Sequence, residues 1–370
     1  MPTTMSKQEN NLLQLIRFAL DSSIQKADLN LKEPDWNQLL QMAALQGVQG
    51  ILFDAVQKFG QDSEAPSLNT LADYVLASKD IRTKQDDHKQ GIRKMTAYLT
   101  KQGIHTILIK GLTLSPLYPN PLARPTGDID IYMFADEKTD KPVAEIGDDL
   151  FRQLGLDVNF TGKHSAFVVA GVDIENHYTF FHDYLSDSNF RAEQMMMDCI
   201  TDKATGLVDK SCLGYLEELG VYTLPANANH LFLMCHMSQH FSIYESIALR
   251  HLLDWGYFLN SIKDDSSFDW EKAKERIVNL KYDRINDIYT CLAEDLTGID
   301  LSMFCIDKER NVGKRDKQLF LEDILAEKEE MPTEFIPQWR FRLRNFINQR
   351  WKHKYLPDSY WQRIWHKTQE

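Results

Sequence analysis

Gly127-Asp128-Ile129-Asp130-Ile131-Tyr132-Met133 alternates acidic and apolar side chains, and Lys110-Gly111 closes another apolar run shortly before it. Side chains alternate across a strand, so Asp128 and Asp130 project from one face while Ile129 and Ile131 bury on the other. Two like charges side by side weaken a strand. Hard carboxylate oxygens held about one metal's width apart suit Mg²⁺ carrying a nucleotide phosphate. The run predicts a metal-dependent phosphoryl or nucleotidyl transfer site.

Outward from this strand, His105-Thr106-Ile107-Leu108-Ile109 reads as a second strand ending at Lys110-Gly111. A Pro-rich connection, Ser115 to Thr126, joins the two. Downstream, Lys141 to Leu154 fits a helix, and Ala166–Ala170 and Val172–Phe181 fit two strands joined by a tight turn at Gly171. Apolar residues at helical spacing dominate elsewhere: Asn11–Leu20, Trp36–Leu45 after Pro34-Asp35, and a long stretch from Leu68 to Gln102. Helical periodicity returns from Gln194, clearest at Asn229–Phe241, Ile247–Leu259 and Trp270–Leu280. The predicted fold class is α+β, a small mixed β-sheet core flanked by helices. Its parts are a helical N-terminal region (1–102), an α/β core (103–190), a helical C-terminal domain (191–337) and a basic, aromatic tail (338–370).

The chain has 370 residues, 43% of them hydrophobic, enough to bury a large core in two or more units. Its five cysteines are widely spaced with no CxxC pair, which predicts reduced packing residues rather than a zinc site. The polar first residues lack a signal-peptide core, and no run approaches the roughly 18 apolar residues of a membrane span. These features predict a cytoplasmic location. The net charge of −12 argues against general nucleic-acid binding, so nucleotide chemistry belongs in a local pocket.

Two-metal nucleotidyl transfer needs a third acidic group from another strand. Val172-Asp173-Ile174-Glu175-Asn176-His177-Tyr178 offers two, Asp173 and Glu175, on one strand face.

The stretch from Ile107 to Tyr132, with Lys110-Gly111, Tyr118-Pro119, Arg124-Pro125 and Asp128-Ile129-Asp130, resembles the uncharacterised nucleotidyltransferase family. That family belongs to the DNA polymerase β-like nucleotidyltransferase superfamily. Glu175-Asn176-His177-Tyr178 is similar to its downstream element, with Asn176 in place of an apolar residue; this favours Glu175 over Asp173. His236–His240 and Leu249–Trp255 resemble its helical motifs. The resemblance implies a nucleotidyltransferase core in which Asp128, Asp130 and Glu175 bind Mg²⁺, or Mn²⁺, and act in catalysis. Lys110 and Gly111 stand where better-known members carry Gly-Ser at the start of a helix whose N-terminus holds phosphate. Lys110, Gly111 and Arg124 are accordingly the expected nucleotide-binding residues. The implied partners are an NTP such as ATP and a hydroxyl acceptor: a small molecule, a sugar or a protein.

Other features read more plainly. His177 fits a core or supporting histidine. His236 and His240 share a helix face, yet no third zinc ligand accompanies them, so they read as structural. Arg250 and Asp254 have ion-pair spacing. The tail interleaves Trp339, Phe341, Phe346 and Trp351 with Arg340, Arg342, Arg344, Arg350 and Lys352; it fits a closing helix, with peripheral membrane contact as the alternative. Two rival functions stay in view: an inactive nucleotidyltransferase-fold binding protein, and a glycosyltransferase using Asp-x-Asp, which requires a Rossmann-like βαβ half before the motif. For an enzyme, Asp128→Asn and Asp130→Asn are expected to abolish turnover and leave the fold intact or more stable.

Overall fold

A computed structural model describes residues 5–60, 65–181, 187–241, 247–313, 315–326, 340, 343–344 and 347–357. The chain divides into two units, one built from residues 79–233 with 265–269, the other from the remaining stretches.

The first unit contains one mixed sheet, in the order β3-β4-β5-β2-β1-β7-β6. Its strands are β1 (Ile104–Leu108), β2 (Ile129–Ala135), β3 (Asn159–Phe160), β4 (His164–Val169), β5 (Val172–His177), β6 (Gly214–Leu216) and β7 (Val221–Thr223). β1 and β2 are antiparallel, whereas β2 and β5 are parallel. The hairpin β4–β5 turns at Ala170 and Gly171, both with positive φ (+53° and +83°), as a two-residue type I′ turn requires. Two strands escape the sequence reading, which placed all strand character between 103 and 190. β6 and β7 are only three residues each, too short to carry a readable alternation, and β7 joins the sheet by pairing parallel to β1.

Period-two alternation divides the sheet into two faces. One carries Ile104 and Leu108, Ile129, Ile131 and Met133, Phe167, and Val172 and Ile174, buried against Ile92, Met95 and Leu99 of α4 (Leu68–Lys101) and Phe151 of α5 (Val143–Gln153). Burial of this apolar surface supplies the driving force for the unit. Within it lies one polar network: fully buried Asp148 of α5 accepts hydrogen bonds from Ser165 Oγ (2.6 Å), Asn176 Nδ2 (2.9 Å) and Tyr178 Oη (2.7 Å). The polar Asn176 is thus matched from the opposing helix.

Helices of the second unit include α1 (Lys7–Leu20), α2 (Trp36–Leu45), α3 (Gln49–Phe59), α8 (Leu249–Ile262), α9 (Trp270–Asn279) and α10 (Asp283–Thr297). Ser6 and Glu9 form a capping box on α1, and Asp35 caps α2. Trp255 of α8 donates to Thr290 Oγ1 of α10 (3.1 Å). Asp287 accepts from the backbone N–H of Ile306 and Asp307 and from the Asn286 and Asn311 side chains. His236 and His240, on α7 (Ala226–His240), stack edge to face, and His251 lies parallel to His240. The five cysteines are free thiols. The expected basic tail falls largely outside the described residues. No helix among the described residues is long and apolar enough to cross a membrane.

Removing the Asn176 amide strips one of Asp148's donors inside the core. Asn176→Val is expected to lower stability by about 1–3 kcal/mol. An unchanged melting temperature would show that Asp148 draws no support from it.

Candidate active site

The opposite face of the sheet carries the charged cluster. Parallel pairing sets Asp130 of β2 directly beside Glu175 of β5, and Tyr132 beside His177. The antiparallel hairpin sets His164 of β4 opposite His177. Alternation then brings Asp128, Asp130, Glu175, His177 and His164 to one face. One carboxylate oxygen each from Asp128, Asp130 and Glu175 lie within 4.8 Å of one another. Asp173, two residues before Glu175, is exposed and belongs to no such cluster among the described residues.

Asp130 is the buried centre, 1% exposed. Lys110 Nζ lies 3.2 Å from its Oδ2, and His177 Nε2 lies 3.0 Å from its Oδ1. Burial alone would push this carboxyl upward, but the Lys110 ammonium and the His177 hydrogen bond outweigh it and hold it well below the usual carboxylate range. The expectation that Asp130→Asn leaves the fold intact or more stable is therefore corrected. An amide there would leave a partly buried ammonium without its counter-charge.

Glu175 has the opposite environment. Partial burial, then the charges of Asp128 and Asp130, push it from 4.5 up to about 7. His164 is pushed down to about 4, chiefly by burial and then by His177 and Lys163, so its ring is neutral. Its Nε2 lies 3.4 Å from Glu175 Oε1.

The segment between β1 and β2 frames the cluster. The ladder continues past β1, with Ile109 N–H donating to the Asp130 carbonyl (3.0 Å). Gly111 follows with φ +78°, a conformation glycine adopts without strain. It opens only a three-residue 3-10 turn, Gly111–Thr113. The macrodipole of a long helix is therefore absent at this turn, and Lys110 supplies the positive charge instead. Arg124 is buried within the Pro-rich segment, its guanidinium donating to the Pro125 carbonyl (3.4 Å). Gln85 of α4 in turn donates to the Arg124 carbonyl (2.7 Å).

The donor chemistry fits a hard divalent cation: three carboxylates converge, and one of them is fully buried and ionised. The sequence reading placed Asp128, Asp130, Glu175 and Lys110 in one site, and these groups do meet. It passed over His164, whose place depends on hairpin register rather than on any local motif. It read His177 as a core or supporting histidine, and that ring supports Asp130 directly.

Glu175 makes stability pH-dependent. Its folded value lies above its unfolded one, so the folded state binds the extra proton between about 4.5 and 7 and loses stability as pH rises through that window. Glu175→Gln should raise the melting temperature of metal-free protein more at about pH 8 than at about pH 5. An equal shift at both would contradict the raised value.

No curated protein and no solved structure matches the chain. Residues 32–298 match the family model of the uncharacterised nucleotidyltransferases. That stretch covers more than half of the 370 residues and holds the whole cluster. The chain therefore belongs to the uncharacterised nucleotidyltransferase family.

Proposed function

We propose that the protein is a Mg²⁺-dependent nucleotidyltransferase, with Mn²⁺ as the alternative ion, that moves a nucleoside monophosphate from an NTP to a hydroxyl acceptor. The observation that carries this reading is the meeting of Asp128, Asp130 and Glu175 within 4.8 Å on one sheet face, in a chain of this family. Asp128 and Asp130 would hold the ion together with the triphosphate, and Glu175 would complete the set. When bound, the ion neutralises phosphate charge and acidifies the attacking hydroxyl.

The chain's own groups do the rest. Lys110 brings a flexible ammonium to the edge of the cluster, 21% exposed, where it can pair with phosphate oxygens. The Gly111 backbone N–H and Arg124 are the further groups assigned to the triphosphate. Glu175, pushed up to about 7, is matched to accepting the hydroxyl proton on a carboxylate oxygen near neutral pH. The acceptor oxygen then bonds to the α-phosphorus, and the bond to the bridging oxygen breaks as pyrophosphate leaves. The acceptor class is a small molecule, a sugar or a protein side chain.

A second reading rests on Lys110. Its ammonium already neutralises Asp130, as suits a protein that binds nucleotide or a partner without turnover. The glycosyltransferase reading fares worse: among the described residues only β1 precedes β2 in the sheet, and it pairs antiparallel, not as a βαβ half.

Thermal shift with each NTP, in Mg²⁺, Mn²⁺ and EDTA, separates these readings. A rise in melting temperature that requires metal and disappears in Asp128→Asn supports the enzyme. A rise that persists in EDTA supports the non-catalytic binder, and no rise with any triphosphate removes nucleotide from the site.

A further inference from the structure

We infer that the cluster contains a second metal position with imidazole ligands, formed by His164, Glu175 and His177 and selective for a divalent transition ion of the Zn²⁺, Co²⁺ or Mn²⁺ class over Mg²⁺. Glu175 is the shared carboxylate. Its other neighbours, Asp128 and Asp130, make the oxygen-only position of the proposed function, yet the inference is tested without nucleotide, so either can fail alone.

The geometry of His177 is the first observation. Its Nδ1 faces the Thr179 carbonyl at 3.2 Å, and a carbonyl only accepts, so Nδ1 carries a proton. Its Nε2 faces Asp130 Oδ1 at 3.0 Å and Glu175 Oε2 at 3.8 Å, again acceptors. The ring thus aims Nε2 into a pair of carboxylates, an arrangement completed by a second proton or by a metal. An N–H fixed on a backbone carbonyl with the other nitrogen aimed at the ion is how proteins orient metal-binding histidines.

His164 supplies the second observation. Its side chain is 14% exposed, and among the described residues its Nδ1 is buried without a hydrogen-bond partner. Its Nε2 has the Glu175 carboxylate beside it at 3.4 Å, so a ring nitrogen and a carboxylate oxygen converge where a cation would bridge them. The ring sits directly across the hairpin from His177, with centroids 5.4 Å apart.

The spacing agrees as well. One ligand atom each from His164, Glu175 and His177 lie within 4.8 Å of one another. Nε2 of His164 and of His177 lie 3.4 and 3.8 Å from the two Glu175 oxygens. Metal bonds near 2.1 Å in tetrahedral geometry put neighbouring ligand atoms about 3.4 Å apart. Two imidazoles and one carboxylate suit zinc, cobalt, manganese or iron, with further positions open to water or substrate, whereas Mg²⁺ prefers oxygen alone.

The test is a Co²⁺ titration of metal-stripped full-length protein in excess Mg²⁺, followed by visible absorption. The inference predicts one equivalent of Co²⁺ with ligand-field bands that Mg²⁺ does not displace. His164→Gln and His177→Asn should each weaken Co²⁺ binding by at least about tenfold, whereas Asp128→Asn should leave it unchanged. Pulsed electron paramagnetic resonance of the unaltered protein loaded with Cu²⁺ should detect two coordinated imidazole nitrogens, which keeps the test independent of how the variants fold. Complete displacement by Mg²⁺, weakening by only one histidine variant, or fewer than two coupled imidazoles overturns the three-ligand position.

Discussion

A single carboxylate, Asp130, is buried to 1% exposure yet kept ionised by the Lys110 ammonium and the His177 imidazole. A charge removed from water without partners costs several kcal/mol, so the fold must keep both partners in place. Lys110 comes from the residues just past β1, and His177 from the end of β5. Three adjacent strands, β1, β2 and β5, are thereby tied to one charge. Beside it Glu175 is pushed the other way, first by partial burial and then by the charges of Asp128 and Asp130. The two residues thus acquire different protonation behaviour from one arrangement.

The opposite face of the sheet fixes the register on which this depends. A one-residue slip of β5 would carry Glu175 and His177 to the apolar side. Asp148 guards against that slip, because it bonds Ser165 on β4 and Asn176 on β5 from within the core. The two polar networks therefore lie on opposite faces of the same strands. The inner one fixes the position of the outer one, and only the outer one clusters carboxylates at a cost that a bound cation would offset.

The alternation of Asp128 and Asp130 with Ile129 and Ile131 revealed the strand and its two faces directly, because a period of two needs no partner. The long helices and the turn at Gly171 were equally local. What escaped were features set by partners distant in the chain. Asn176 looked like a defect until Asp148, on a helix between the two strands, supplied its match. His164 carried no signal of its own, since only the hairpin register places it opposite His177. β6 and β7 were invisible for a similar reason: β7 depends on the edge that β1 offers, and β6 on the edge that β7 offers in turn. Lys110 was legible as a charge near phosphate, but its contact with Asp130 depends on the β1–β2 pairing, which runs on to Ile109 and the Asp130 carbonyl.

The most direct measurement is a crystal structure of the protein with Mg²⁺ and a non-hydrolysable NTP. The account predicts an ion bridging Asp128, Asp130 and the triphosphate, with Glu175 at its edge. Triphosphate bound away from these carboxylates, or absent while Lys110 stays on Asp130, would contradict it.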